Sequence, residues 1–540
     1  MCGVLHKGDV VFTHGTGLAN VEENLAANKD TVYPVASCTK SFTTASCGIL
    51  IDEGRLSWTE PVQSYLPEFQ TSQDPEIAKR ATLLDLCSHG TGLAPVDHLV
   101  CGFHDEFWIS GKQQVQTSSH LPVCYNFRSH WLYNNSIFGV FGELITKVSG
   151  QSSGNFLQER IFEPLGMTRS ATRAADQPTD GNFARGYSVL DDGSLLPLSP
   201  SALDDGSPQG GAGYVRSSVR DMLTWARAVM EAEVDNFDQD HALNFEQDEN
   251  GRRNPLRQMQ LQRCGHRPIT LQGSGYENSY GLGWFRHMLP SSWLGSIGPN
   301  FALLPDPPII NKAGPPRLTI AHWGEFNGFL TALYNFPTTQ SAVVVMANSA
   351  PGRGDPADLA AQLLAQELFD MQPRVNLEDY AIKAADTSKR LWPALVEEWV
   401  SNRVQNTKHG RIEDYVGRFT NRAYNLTVNV YKLSPKVIGP EHPPELLGFN
   451  VNSISRQSAK LRHYHYDTWT FLPDSRDDAL RKGMEGFLSL PLLLLSFMRD
   501  EAGAVCSLDW DLQAGVCEGP APGISRIVAP IRFHRDNGAV

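Results

Sequence analysis

No apolar run in this chain of 540 residues is long enough to span a bilayer. The longest candidate, Leu488 to Met498, is short and is interrupted by Ser489, Pro491 and Ser496. The opening stretch, Met1-Cys2-Gly3-Val4-Leu5-His6-Lys7-Gly8, lacks the charged-then-apolar order of a secretory leader. Positive charge is in deficit. With 46 Lys and Arg against 59 Asp and Glu, the formal net charge of -13 speaks against nucleic acid or an anionic membrane as partner. Cysteine is sparse and unpatterned: nine residues from Cys2 to Cys517 match neither metal-ligand nor disulfide-framework spacing. Reduced thiols are therefore expected, although Cys506 and Cys517 could pair. Repeats and low-complexity tracts are also lacking. Together these absences imply a cytoplasmic protein. The sequon Asn134-Asn135-Ser136 agrees, because a glycan there would block the candidate site described below.

What is present is ordinary in bulk. A content of 41% hydrophobic and 19% charged residues is that of a globular protein, and the length calls for two or more domains. Residues 3–13 read as two short strands around the turn His6-Lys7-Gly8-Asp9. Phe42, Ala45, Ile49 and Leu50 recur at helical spacing up to a capping Gly54. A short helix at 82–87 stops at the glycine turn Ser88-His89-Gly90-Thr91-Gly92-Leu93. A second clear helix runs from about Asn135 to Gly150, residues 209–214 read as a flexible turn, and 217–226 as a capped amphipathic helix. Polar, aperiodic residues 231–275 suggest a surface insertion. Strand character returns at 281–285, 318–322, 330–334 and 342–346, the last three as an antiparallel meander. Asp355-Pro356 opens a helix through Leu368, a helical linker follows, and short strands from Tyr415 onward suggest a small all-β unit.

Chemistry enters at Ser37-Cys38-Thr39-Lys40. Three residues apart at a helix start, the serine and lysine share one face. A serine hydroxyl is a poor nucleophile until a neighbour takes its proton, and a lysine in a partly dry site can lose its own proton and act as that base. The helix N-terminus adds positive potential where an oxyanion would form. The motif alone is weak, since S-x-x-K arises about once or twice by chance in a chain this long.

Partners in register strengthen it. Ser37-Cys38-Thr39-Lys40, Tyr133-Asn134-Asn135 and His322-Trp323-Gly324 come in the order of the S-x-x-K, Y-x-N and [KH]-x-G elements of the serine β-lactamase and penicillin-binding-protein superfamily, which residues 3 to 370 resemble. Ser88-His89-Gly90-Thr91-Gly92-Leu93, Pro164-Leu165-Gly166-Met167 and Tyr280-Gly281-Leu282-Gly283-Trp284 are similar to further segments of that family. The resemblance implies Ser37 as the acylated nucleophile, Lys40 as the group that takes or relays its proton, and Tyr133 as a second acid/base group serving the leaving group. A buried tyrosine with a satisfied hydroxyl is the plain alternative for Tyr133. Asn135 would hold Lys40 and the substrate amide, or else merely cap a helix. Gly324 would let a strand edge approach the substrate, with the N–H groups of Ser37 and Glu325 as oxyanion hole. His322 stands where most β-lactamases carry lysine, and a neutral imidazole holds a substrate carboxylate less strongly. Glu325 would further disfavour anions unless its side chain turns to the surface. Trp131, Trp284, Trp323 and Phe326 could line an acyl pocket but are as readily core.

Residues 415–421, 426–430 and 531–536 resemble strands of the lipocalin-like module that follows some family members. The further N-terminal helix usual in the family has no counterpart before the first strand, which would expose Leu359, Leu363 and Leu364. The expected architecture is thus α+β: a β-lactamase/transpeptidase-like domain over 1–372, a helical linker over 373–410 and a lipocalin-like barrel over 411–540. The expected function is hydrolysis of an ester or amide of a small metabolite or peptide through an acyl-enzyme at Ser37, without metal or organic cofactor. Acyl transfer to a non-water acceptor is the first alternative and a non-catalytic ligand-binding protein the second. The oligomeric state is left open.

Overall fold

Three apolar, β-branched segments, Arg317–Phe326, Phe329–Phe336 and Ser341–Ala347, lie at the centre of the molecule. Asn327 and Gly328 both take positive φ, 49° and 84°, which a two-residue hairpin needs to match the strand twist. The three strands form the expected antiparallel meander, with Trp323 opposite Ala332 and Ala332 opposite Val345. The structure is a computed structural model that describes residues 1–235, 254–269, 277–349, 354–433, 447–513 and 529–536. Five further strands complete an eight-stranded antiparallel sheet. Its spatial order is Asp9–His14, Cys2–His6, Ser341–Ala347, Phe329–Phe336, Arg317–Phe326, Phe285–Leu289, Asn278–Tyr280, Arg267–Pro268. Alternate side chains enter two cores. Tyr334, Val343 and Val345 pack toward the helix Pro356–Leu368, while Leu333, Val344 and Met346 pack toward Val219–Asp235 and the helical lobe. The α+β expectation holds.

The helix Leu377–Asn402 leads to a closed eight-stranded barrel. Its first strand, Gly417–Asn421, pairs with its last, Ile531–Arg535, through Phe419 and Arg535, so no edge remains open. Phe419, Val428, Phe449, Leu461, Trp469, Leu495, Trp510 and Phe533 are buried at alternating positions. The barrel is not a loose appendage: Phe103 and Trp108 of the helical lobe belong to the same apolar core as Phe449, Phe487 and Trp510 of the barrel. Gln457, fully buried, fixes this contact with all its amide valences. Its Oε1 accepts from Phe103 N and Trp108 Nε1, both at 2.7 Å, and its Nε2 donates to Phe103 O at 2.9 Å and Glu106 Oε2 at 3.1 Å.

Several local expectations are corrected. The strand expected at 281–285 starts at Phe285. Gly281–Trp284 instead forms the tight turn from Asn278–Tyr280, with Gly283 at φ +76°. Residues 209–214 are no flexible turn but a buried helical turn, Gly210–Gly213, held by Thr43 Oγ1 donating to Gly211 O at 2.7 Å. The insertion expected over 231–275 is not all surface. The helix from Val219 continues to Asp235, Leu256 and Met259 are fully buried, and Arg267–Pro268 joins the sheet; the rest of that stretch lies outside the described residues. Leu359 is buried against the sheet, Leu364 partly so, and only Leu363 is exposed. Cys124 is disulfide-bonded, which overturns the all-reduced expectation and removes its support for a reducing compartment. Cys506 is free, and Cys517 lies outside the described residues. Among the described residues no helix is long and apolar enough to cross a membrane.

Candidate active site

Ser37 sits on a single 3₁₀ turn, Ala36–Cys38, that runs directly into the helix Thr39–Asp52. Ala36 takes φ +43°, a left-handed conformation that costs energy for a residue with a Cβ. The helix is buried from Thr39 to Leu50, so its register, and with it the serine, is fixed by packing. Lys40, one turn on, is fully buried. Its Nζ lies 3.0 Å from Ser37 Oγ and donates to Asn135 Oδ1 at 2.8 Å and to Ala212 O at 3.3 Å. Burial brings its pKa down to about 7, against the opposing effect of Asp97. At neutral pH a large fraction of Lys40 is thus a free amine able to accept the serine proton.

Asn134, not Asn135, caps the helix Asn135–Ser149, through Oδ1 and the N–H of Ile137. That leaves the Asn135 side chain to bridge Lys40 and Asp97, to which it donates at 3.0 Å. Asp97, which no sequence pattern marks, also accepts from Gln209 Nε2 at 2.9 Å, and burial raises its pKa. The Tyr133 ring lies 4.7 Å from Lys40 Nζ. Its hydroxyl is buried beside the Ser37 side chain, and burial holds it as a neutral phenol. A Cβ on Gly324 would lie 2.1 Å from Val35 O and 3.2 Å from Ser37 N, so only glycine lets the strand edge meet the Ser37 turn.

A cavity of about 310 Å³ joins these groups; Ser37, Asp97, Tyr133, Asn135, Gly324 and Glu325 all line it, with Trp323 and Asp355. His322 stands one layer behind. It is fully buried, with Nδ1 on Trp323 O at 2.7 Å and Nε2 on Tyr280 Oη at 3.2 Å, and burial lowers its pKa to about 3, so it is neutral. Of the aromatics considered for an acyl pocket, Trp323 lines the cavity, whereas Trp284 is core and stacks under Arg263. Among the described residues no group of His, Cys, Asp and Glu is arranged to hold a metal.

Comparison with known proteins agrees with this geometry. The Beta-lactamase family profile matches residues 2–367. An unguisins hydrolase of Aspergillus violaceofuscus is 27% identical over 231 residues, 41% of this chain and 40% of that protein. A D-aminopeptidase of Brucella anthropi is 28% identical over 238 residues, covering 42% and 41%. The alignments thus span about two-fifths of these curated relatives. Among solved structures, a class C beta lactamase from Rhodobacter sphaeroides superposes with a TM-score of 0.50 at 24% identity, over 68% of this chain and 93% of that one. An octameric penicillin-binding protein homologue from Pyrococcus abyssi shares the fold over 99% of this chain and 95% of that one, with a TM-score of 0.53 at 18% identity. With the family profile spanning the sheet, the helical lobe and every motif around Ser37, the chain belongs to the beta-lactamase family.

Proposed function

We propose that this protein is a serine hydrolase that cleaves an ester or amide of a small metabolite or peptide through an acyl-Ser37 intermediate. The observation that carries the reading is Lys40: fully buried, 3.0 Å from Ser37 Oγ and shifted to a pKa of about 7. A lysine with only a structural role gains nothing from that shift. In the forward step Lys40 takes the Ser37 proton as Oγ attacks the carbonyl. The N–H groups of Ser37 and Glu325 receive the oxyanion, and the Tyr133 phenol protonates the leaving group and regains a proton from Lys40. Water enters by the reverse route, with the same groups, and releases the acid. Relatives named as hydrolase and aminopeptidase support hydrolysis over acyl transfer. The test is a pre-steady-state burst of p-nitrophenol from p-nitrophenyl acyl esters of increasing chain length. One equivalent released in the burst, absent in Ser37→Ala, is expected; a steady rate that Ser37→Ala retains contradicts the reading. Adding amines or alcohols shows whether an acceptor other than water intercepts the acyl group.

A further inference from the structure

Tyr133, which protonates the leaving group in the reading above, lies on a stretch without regular secondary structure, two residues before the helix Asn135–Ser149. Its placement therefore depends on what the backbone around it bonds to. Both flanking N–H groups go to one residue. Leu132 N donates to His89 O at 3.0 Å, and Asn134 N donates to His89 Nδ1 at 3.1 Å. The His89 ring lies against the Tyr133 ring, with centroids 4.5 Å apart. The buried Asn134 side chain ties down the far end of the same loop, its Nδ2 donating to Leu93 O at 3.0 Å and to Ala94 O at 3.1 Å.

The loop that makes these contacts is itself anchored. Arg267 Nε donates to Ser88 Oγ at 2.9 Å, Gly90 N donates to Asp85 O at 2.8 Å, and Arg128 N donates to Gly90 O at 2.9 Å. Asp85, buried, pairs with both arginines. A Cβ on Gly90 would lie 2.0 Å from the Arg267 guanidinium carbon, so this close approach needs glycine. His89 takes φ +57°, a left-handed conformation that histidine adopts more readily than apolar residues do. Burial pushes its pKa well below the ordinary histidine value, so the ring is neutral. Because Nδ1 accepts from Asn134, the single ring proton sits on Nε2. That buried Nε2 has no hydrogen-bond partner among the described residues. An orphaned N–H is costly, and an apolar ring of the same shape would avoid it. What the imidazole supplies and an apolar ring cannot is the acceptor for the Asn134 N–H.

We propose that His89 is a positioning residue for the leaving-group step: its carbonyl and its Nδ1 clamp the backbone on both sides of Tyr133 and hold the phenol at the Ser37 cavity. The inference rests on the acyl-enzyme reading above, in which Tyr133 is the general acid. Tyr133 lines the cavity and His89 does not, so His89 acts through the tyrosine. Misplacing a catalytic group by about 1 Å costs up to about 100-fold in rate. For a general acid the loss falls on substrates whose leaving groups need a proton.

The experiment compares kcat/KM, which reads acylation alone, for the ethyl and p-nitrophenyl esters of the straight-chain acid that gives the fastest p-nitrophenol burst. Ethoxide must be protonated to leave, whereas p-nitrophenolate need not be. His89→Phe keeps a ring and removes the Nδ1 acceptor. It is expected to lower the ethyl-to-p-nitrophenyl ratio about 30-fold, as Tyr133→Phe does, and the double variant should fall no further than Tyr133→Phe alone. His89→Asn places Oδ1 where Nδ1 stood and tolerates positive φ, so its ratio should return to within about 3-fold of the native value. If His89→Phe shows no melting transition, His89→Ala removes the same acceptor with less bulk and carries the comparison. An unmoved ratio in the folded variant without the acceptor, additive losses in the double variant, or a ratio in His89→Asn as low as in His89→Phe overturns the clamp. A ratio that Tyr133→Phe itself leaves unmoved refutes Tyr133 as the acid and the clamp's purpose with it, so the two single variants tell which has failed.

Discussion

At the residue scale, the proposed chemistry turns on Lys40, whose charge is balanced. Burial lowers its pKa to about 7 while the negative charge of Asp97 opposes the fall. A base must be unprotonated to act, so acylation is expected to rise with pH through about 7 and level off above it. Lys40→Met should lower kcat/KM about 10³-fold, read from steady-state kinetics. Asp97→Asn removes the opposing charge, so the acid limb of the pH–rate profile should move to lower pH; an unmoved limb would separate Asp97 from Lys40. Glu485 gives a stability test. Its folded pKa, about 7, lies above the ordinary 4.5, so its charged form destabilises the fold above pH 7, and the penalty fades as pH falls from 7 to 4.5. Glu485→Gln should therefore raise the melting temperature about 1–3 °C at pH 8 and leave it unchanged at pH 4. Ser37 and Lys40 are legible as a pair because their three-residue spacing puts them on one helix face, whereas Tyr133 and Gly324 are legible only through the resemblance of the motifs that carry them. Asp97 is not, because the groups that hold it, Asn135 and Gln209, are brought to it only by tertiary folding.

At the scale of elements, two segments set the site. The strand Arg317–Phe326 touches the Ser37 turn at Gly324, where an added Cβ would lie 2.1 Å from a backbone oxygen. Gly324→Ala should lower kcat/KM at least about 100-fold by pushing the Glu325 N–H away from the oxyanion, with a melting temperature that shows the fold intact. The segment from Asp97 to Trp108 links barrel to site, with Gln457 holding one end and Asp97 holding Asn135 at the other. Gln457→Met keeps the volume but none of the hydrogen bonds. It should lower kcat/KM about 10-fold and displace the acid limb in the same direction as Asp97→Asn; a change in stability alone would confine Gln457 to docking. The meander and the helix Pro356–Leu368 follow from pattern, period two in the strands and a capped proline start in the helix. The strand misplaced at 281–285 shows where pattern fails: Leu282 and Trp284 are buried by the turn they belong to, and burial without periodicity imitates a strand.

At the scale of the whole molecule, the catalytic unit and the barrel share one core through Phe103 and Trp108. They should unfold in a single calorimetric transition, and two resolved transitions would show that the barrel is an independent module. The barrel is legible as strands and turns, and its closure follows from the resemblance of its first and last strands to a known module. That it packs against Phe103 and Trp108 of the catalytic lobe is not legible, since nothing local ties Gln457 to residues some 350 positions away. The central claim, that a neutral Lys40 activates Ser37, is tested most directly by intact-mass analysis of fluorophosphonate labelling across pH 5 to 9. The account predicts one adduct, mapped to Ser37, with a labelling rate that rises about tenfold per pH unit below pH 7 and flattens above it. A pH-independent rate, an adduct elsewhere, or no adduct on the folded protein would contradict it.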